Sequence, residues 1–383
     1  MVPETLRLSF MVNNESALLP LQPVSVLPGT MFQRLRIMSG GTILEDINLY
    51  ARTINTFATC LPPERQYMDA AEGFGCAAQT PGQTHVEWIP EEIPVGGQRR
   101  VFMTLMSGLF SQHLWLPLSC MPSLTIELEL GGYPDAFAPF FLAPGAAGAA
   151  AARSQLWSLS DARLHCDLCT LDSSLQSSYA QHLSQGKSLT LAISSFVTQT
   201  QRAEGANQTI VLARSFTRLK GIFINFFRAN DATGLKNISN SQYCSHGPGA
   251  YVHARDAIEL QTQIGSRKFP EYPITSLSEF YYRLRLSIGA HFGDVPISIT
   301  PRSFRNTHFI AAFDFEKAAT GPAGGVSFTG ISTRNGELLT VDFKNFGVPN
   351  AVAANNTVPT QSFVSLNFDA IIELSADGVS ISE

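Results

Sequence analysis

Charge is scarce in this sequence. Asp, Glu, Lys and Arg make up 15% of its 383 residues, and the net charge is −5. No basic surplus marks a surface for nucleic-acid phosphates, and no acidic block marks a solvated tail. Cysteine is scarce too. The six (Cys60, Cys76, Cys120, Cys166, Cys169, Cys244) are too few and too scattered for a disulfide scaffold in a chain this long. Catalytic signatures are missing. There is no GxSxG, no P-loop, no GxGxxG after a strand and no HExxH. His-x-His is also absent, which argues against a metal-dependent enzyme on a double barrel of the cupin kind. At the N-terminus, Glu4 stands where a secretion leader carries Lys or Arg. No secretion is expected, so the sequons at Asn14, Asn207, Asn237 and Asn355 are expected to stay unmodified.

One long run does lack charge, Val101 to Ile126. It has the length of a membrane span, but Gln112, His113, Pro117 and Pro122 interrupt it. Two buried strands joined by a turn fit it better.

What the chain has is material for strands and turns: 26 Phe, 29 Gly and 22 Pro. "LRLSFMV" (6–12) reads as a strand, and "FQRLRIMSGGTILEDI" as a hairpin around Ser39-Gly40-Gly41. In "EDINLYARTINTFATC" Ile47, Tyr50, Ala51, Ile54, Phe57 and Ala58 recur at helical spacing, up to a stop at Pro62-Pro63. Strands are predicted at "HVEWI", "RRVFMTLM" and "LTIELEL". In the last, Leu124, Ile126, Leu128 and Leu130 share one face, and Glu127 and Glu129 the other. Residues 131–154 read as a long Gly/Ala/Pro-rich loop. "SSLQSSYAQHLSQG" (173–186) reads as a short helix ended by Gly186.

The second half repeats this order. "KSLTLAISSFV" is its first strand and "QTIVLARSFTRLKGIFINFF" a long second one. A polar loop follows, then a hairpin around Gly265-Ser266 and a helix with a Ser276/Glu279 capping box, ended by Gly289. Further strands follow at "PISIT" and "HFIAAFDF", on both sides of Asn335-Gly336, and at "FVSLNFDAIIELS". Strands this short and this regularly punctuated make sandwiches. The expected fold is all-β, two tandem eight-stranded antiparallel jelly rolls with short helices in the connections. Residues 1–172 form the first roll, 173–186 a linker helix and 187–383 the second roll.

The stretch "HCDLCTLD" (165–172) carries the densest potential metal chemistry. A structural zinc needs four ligands, and no second Cys or His pair stands at matching distance. The alternation in "ARLHCDLCTL" gives another account. Leu164, Cys166 and Leu168 fall on one face of a strand and Arg163, His165 and Asp167 on the other. Other candidates are weaker. His246 and His253 bracket a loop without a third ligand. Glu91 and Glu92 are adjacent and point apart on an extended chain. "RSFTRLK" would place Arg214, Phe216, Arg218 and Lys220 on one face of a strand. In "FAPFFLAPG", Phe137, Phe140 and Phe141 would form an apolar patch on a lone chain and are expected to be buried between subunits.

The phrases "RLRIMSGGTILEDINLYARTINTF", "AEGFG", "WIPEEIPVGGQRRVFMTLMSGLFSQHLWLPL", "SDARLHCDLCTLDSSLQSSYAQHLSQGKSL", "RSFTRLKGIFINFF", "QIGSRKFPEYPITSLSEFYYRLR" and "FTGISTRNGELLTV" resemble, in their joint order, the double jelly-roll major capsid proteins. The resemblance extends to those of polinton-like viruses and related elements in protist and algal genomes. The resemblance implies a structural protein, not an enzyme, with no cofactor and no metal. It implies a homotrimer forming a pseudo-hexameric capsomer, and capsomers tiling an icosahedral shell around a DNA genome. Partners would be the chain itself, neighbouring capsomers, and penton and minor or cement capsid proteins, without sequence-specific nucleic-acid binding. Contact with an internal membrane stays open. The location would be the virion, assembled inside the host cell. In that family "HCDLCTLD" would end the first roll, and loops 131–154 and 229–256 would build outward towers. The alternative is a β-sandwich receptor- or carbohydrate-binding virion protein, with Tyr243 and Tyr251 as its aromatic platform.

Overall fold

The computed structural model describes residues 1–76, 90–132, 136–138, 140–141, 151–202, 207–227, 258–288, 297, 299, 304, 309–316, 330–334, 338–345, 361–376 and 378–382. In the first half the strands are β1 (Val2–Asn14), β2 (Phe32–Ser39), β3 (Thr42–Asn48), β4 (Gln98–Met103), β5 (Leu124–Leu130), two short ones, β6 (Phe140–Phe141) and β7 (Ala151–Ala152), and β8 (Trp157–Asp167). The helices are α1 (Tyr50–Ala58), α2 (Pro63–Glu72) and α3 (Ser173–Ser184). Two sheets face each other, ordered β4-β1-β8 and β3-β2-β5. The β2–β3 turn follows from its residues. Gly40 and Gly41 both take positive φ, which a two-residue hairpin of this twist requires.

The second half holds β9 (Leu189–Arg202), β10 (Gln208–Leu212), β11 (Leu219–Phe227), β12 (Glu259–Ile264), β13 (Arg267–Ile274), α4 (Leu277–Ser287), β14 (Ala311–Asp314), β15 (Leu339–Lys344), β16 (Gln361–Ser375) and β17 (Gly378–Ser382). One sheet is ordered β10-β15-β12-β13. In the other, β16 lies between β9 and β11, and β14 closes the far side. First strand beside last and second beside next-to-last is the jelly-roll winding. β17 folds back along β16 as a final hairpin. The fold is the double jelly roll, all-β apart from short connecting helices.

The two halves match strand for strand by their pairing. β4-β1-β8 corresponds to β14-β11-β16, and β3-β2-β5 to β13-β12-β15. The β2–β3 hairpin leads into α1, and the matching β12–β13 hairpin leads into α4. The sequence order suggests that β1 matches the run at 187–197. The pairing corrects this: β1 matches β11.

Other details also differ from the sequence reading. Pro62-Pro63 ends α1 but also starts α2, because proline fits the first turn of a helix, where its missing N–H is not needed. Ile47 belongs to β3, not to the helix. The run 208–227 is two strands broken at 213–218. Residues 104–123, between β4 and β5, form a long connection rather than a tight turn. "HVEWI", Gly289, most of "PISIT" and Asn335-Gly336 lie outside the described residues. No helix of the described residues is long and apolar enough to cross a membrane.

Aromatic side chains fill both sandwiches. Phe10 meets Phe32 edge-on at 5.6 Å in the first. In the second, Phe309 touches Phe280 and Phe304, each at 5.3 Å between ring centres. Burying each such ring contributes roughly 2–3 kcal/mol.

Candidate functional site

The stretch "HCDLCTLD" lands at the end of β8 and in the connection to α3. His165 hydrogen-bonds Ser9 of the neighbouring strand (Nε2 to Oγ, 3.0 Å) and lies 5.5 Å from the Phe102 ring. Cys166 is half-buried against the core, and Cys169 is exposed in the connection beyond the strand. Asp172 caps α3, accepting from the Ser174 N–H at 3.4 Å. The alternation read from the sequence applies only as far as Asp167, where β8 ends; Leu168 lies beyond the strand and is exposed. Leu164 stands opposite Leu8 and Cys166 packs partly buried against the core, while His165 lies beside Ser9 and Phe102. Among the described residues, no group of three or more His, Cys, Asp or Glu side chains is placed to hold a metal ion. Cys60 is buried inside the chain, and burial pushes its thiol up to about 12, which keeps it from acting as a thiolate.

Glu91 and Glu92 part company, as adjacent residues of an extended chain do. Arg99 binds Glu91 at 2.6 Å and Arg153 binds Glu92 at 3.1 Å. His246, His253, Tyr243 and Tyr251 lie outside the described residues, as do most of loop 131–154 and all of 229–256.

Phe137 is not free to form a subunit contact. It is fully buried within its own chain, 5.0 Å from the Trp157 ring and 6.5 Å from Phe74. A backbone bridge to Pro23 holds it there. The sequence does not show that residue 23 returns to meet it. Phe140 and Phe141 form β6, paired with Ala152 and Ala151.

"RSFTRLK" is not one strand face. Phe216 is buried, and Arg214 lies over both Phe216 (5.7 Å) and Phe368 (5.8 Å). Lys220 turns inward, 3.5 Å from both Glu316 and Asp369. Burial raises the carboxyls of Asp369, Glu316 and neighbouring Asp314, and the Lys220 charge only partly opposes this. A raised carboxyl binds its proton more tightly folded than unfolded. This part of the stability is therefore gained as pH falls from the raised folded values towards the ordinary carboxylate range. We expect stability relative to Asp369→Asn to shift in favour of the wild type as pH is lowered across that window. Melting temperatures of both proteins between pH 7 and pH 4 check it, and a constant difference would reject it.

Sequence reasoning missed the joint between the two halves. A one-residue bulge in the β2–β3 pairing lets both Leu44 and Glu45 turn inward. Glu45 accepts hydrogen bonds from the Gly108 N–H (2.9 Å), the Leu109 N–H (3.0 Å) and the Ser107 hydroxyl, all in its own half. It also accepts one from the Ser195 hydroxyl of β9, in the other half (2.6 Å). The backbones meet so closely that a Cβ on Gly108 would lie 2.2 Å from the Ser194 carbonyl oxygen. Beside this, α1 lies across the second half. Phe57 packs on Phe196 (4.6 Å) and Phe223 (4.8 Å), Arg52 donates to Gln361 (3.0 Å), and Asn225 donates to Thr56. A glutamate between Leu44 and Ile47 is the one sequence signal that could have pointed to this joint.

No protein-family model and no curated protein matches the sequence. Solved structures do match the fold. VP54 of PBCV-1 is 12% identical, with a TM-score of 0.59 over 99% of this chain and 89% of that one. A quasi-atomic structure of the PBCV-1 virus capsid is 11% identical, with a TM-score of 0.58 over 99% and 89%. The Faustovirus major capsid protein is 9% identical, with a TM-score of 0.56 over 97% and 78%. This chain shares their fold from end to end.

Proposed function

We propose that this chain is the major capsid protein of a virus, a structural building block and not an enzyme. The observation that carries the reading is the whole-chain likeness in fold to the PBCV-1 capsid and the Faustovirus major capsid protein. Three copies form a homotrimer. Two rolls per chain then give six similar lobes, and this pseudo-hexameric capsomer tiles an icosahedral shell around a DNA genome. The division into a first roll (1–172), a linker helix (173–186) and a second roll (187–383) belongs to the same reading. It is supported by sheets that do not share strands across α3.

The chain's partners are then itself, neighbouring capsomers, and penton and minor or cement proteins, with the virion, assembled inside the host cell, as its location. Phe140 and Phe141 remain candidate contacts between chains. Exposed Leu114, Trp115 and Leu118 add a second candidate. They stand beside the start of β1, where the Met1 amino group donates to the Leu116 carbonyl. Exposed aromatic and aliphatic groups this close together usually mark interfaces.

Light scattering on a sizing column, with metal content read on the same peak, tests the reading. The expected result is a metal-free species of about three chain masses. A stable monomer carrying about one zinc per chain would overturn it and return "HCDLCTLD" to a metal role.

A further inference from the structure

The chain contains its own control for how a complete roll is covered. In the second half, β16 is flanked by β9 and β15 by β10. Their inward rows are sealed. Val364, Leu366 and Phe368 of β16 are 0–3% exposed, and Leu339, Val341 and Phe343 of β15 are 0–1%. The corresponding strands of the first half are β8 and β5. Among the described residues, each of these pairs on one side only. Leu164 stands opposite Leu8 and so shares its inward-facing row, yet it is 50% exposed. Leu130 ends the inward row of β5 and is 47% exposed. Leu124, Ile126 and Leu128 along that row are only partly covered.

Among the described residues, the two edges that lack a second partner lie in opposite sheets, at the positions that β9 and β10 cover in the second half. A free backbone edge beside a half-covered apolar row is a template for strand addition.

We propose that the first roll is completed by two more β-strands, one along β8 and one along β5, supplied by polypeptide immediately N-terminal to β1. The source follows from the internal match. β1 corresponds to β11, and the strands that cover the second roll, β9 and β10, directly precede β11 in the chain. The occupant is thus an extended stretch with apolar residues at alternate positions, like "LTLAISSFV" and "QTIVL" of the second half. This inference rests on the fold and holds whatever the assembled protein does.

Peptide mapping of the protein recovered from its native source tests it, combined with hydrogen exchange at β8 and β5. The expected result is peptides extending upstream of Met1, with the outer-edge amides of β8 and β5 protected in that protein and fast-exchanging in the 383-residue chain alone. A native chain that begins at Met1 would overturn the proposal. If its edges were then protected only at high protein concentration, a second copy would be the occupant. If the 383-residue chain does not stay soluble by itself, the mapped N-terminus still decides.

Discussion

Replacing Glu45 by alanine is expected to lower stability by about 3–5 kcal/mol, because it strips a buried carboxylate from four donors at once. Each abandoned buried donor costs roughly 1–3 kcal/mol. A water entering the vacated space returns part of that. The loss falls on the only acceptor that ties β3, the 107–109 loop and β9 together among the described hydrogen bonds. Calorimetry should therefore show more than an earlier melt: one transition should begin to separate into two as the halves lose their common anchor. Glu45→Gln keeps one acceptor oxygen and should retain much of the stability. A melt of Glu45→Ala within about 0.5 kcal/mol of the wild type, the usual range for neutral surface changes, would sink this account of the joint.

Phe309→Ala should cost a similar amount, about 3–5 kcal/mol, by a different route. Its ring is fully buried and touches Phe280 and Phe304 at 5.3 Å and Phe226 at 6.3 Å. Truncation removes apolar contact and leaves a cavity between α4 and the sheet that packs beside it. It also removes edge-on and stacked ring pairs, worth about 0.5–1.5 kcal/mol each beyond burial. Chemical denaturation followed by near-ultraviolet circular dichroism reads the loss, and Phe309→Leu should recover much of it. If leucine were as damaging as alanine, ring geometry rather than cavity volume would set the cost.

Much of this fold is legible in the sequence because its strands alternate so regularly. Leu124, Ile126, Leu128 and Leu130 do share a face, and Gly40-Gly41 does make the hairpin. The N-cap half of the box at Ser276 holds, with the Glu279 N–H donating to the serine hydroxyl at 3.1 Å, while the Glu279 carboxylate pairs with Arg283. What alternation cannot show is which strand neighbours which. That is why β1 looks like a first strand when its pairing makes it the counterpart of β11. Nor can alternation separate a patch that seeks another chain from one that its own chain covers. Phe137 reads as exposed until Pro23, from more than a hundred residues earlier, is placed beside it. Glu45 was hidden for a related reason. A bulge turns it inward, and bulges follow from the ladder rather than from composition.

The position of β16 has a further consequence, for the order in which the second roll can form. This strand joins β9 on one edge to β11 and β17 on the other, and Leu374 pairs with Leu189 from the far end of that half. During synthesis β9 and β11 emerge long before the strand that bridges them. Until it arrives, both carry open edges and uncovered apolar rows. Closing so large a loop is entropically slow, and open edges of this kind invite pairing with the wrong neighbour. The half-built chain is therefore the vulnerable species, and each protomer must bring β16 home before its second roll can present a finished surface to another copy.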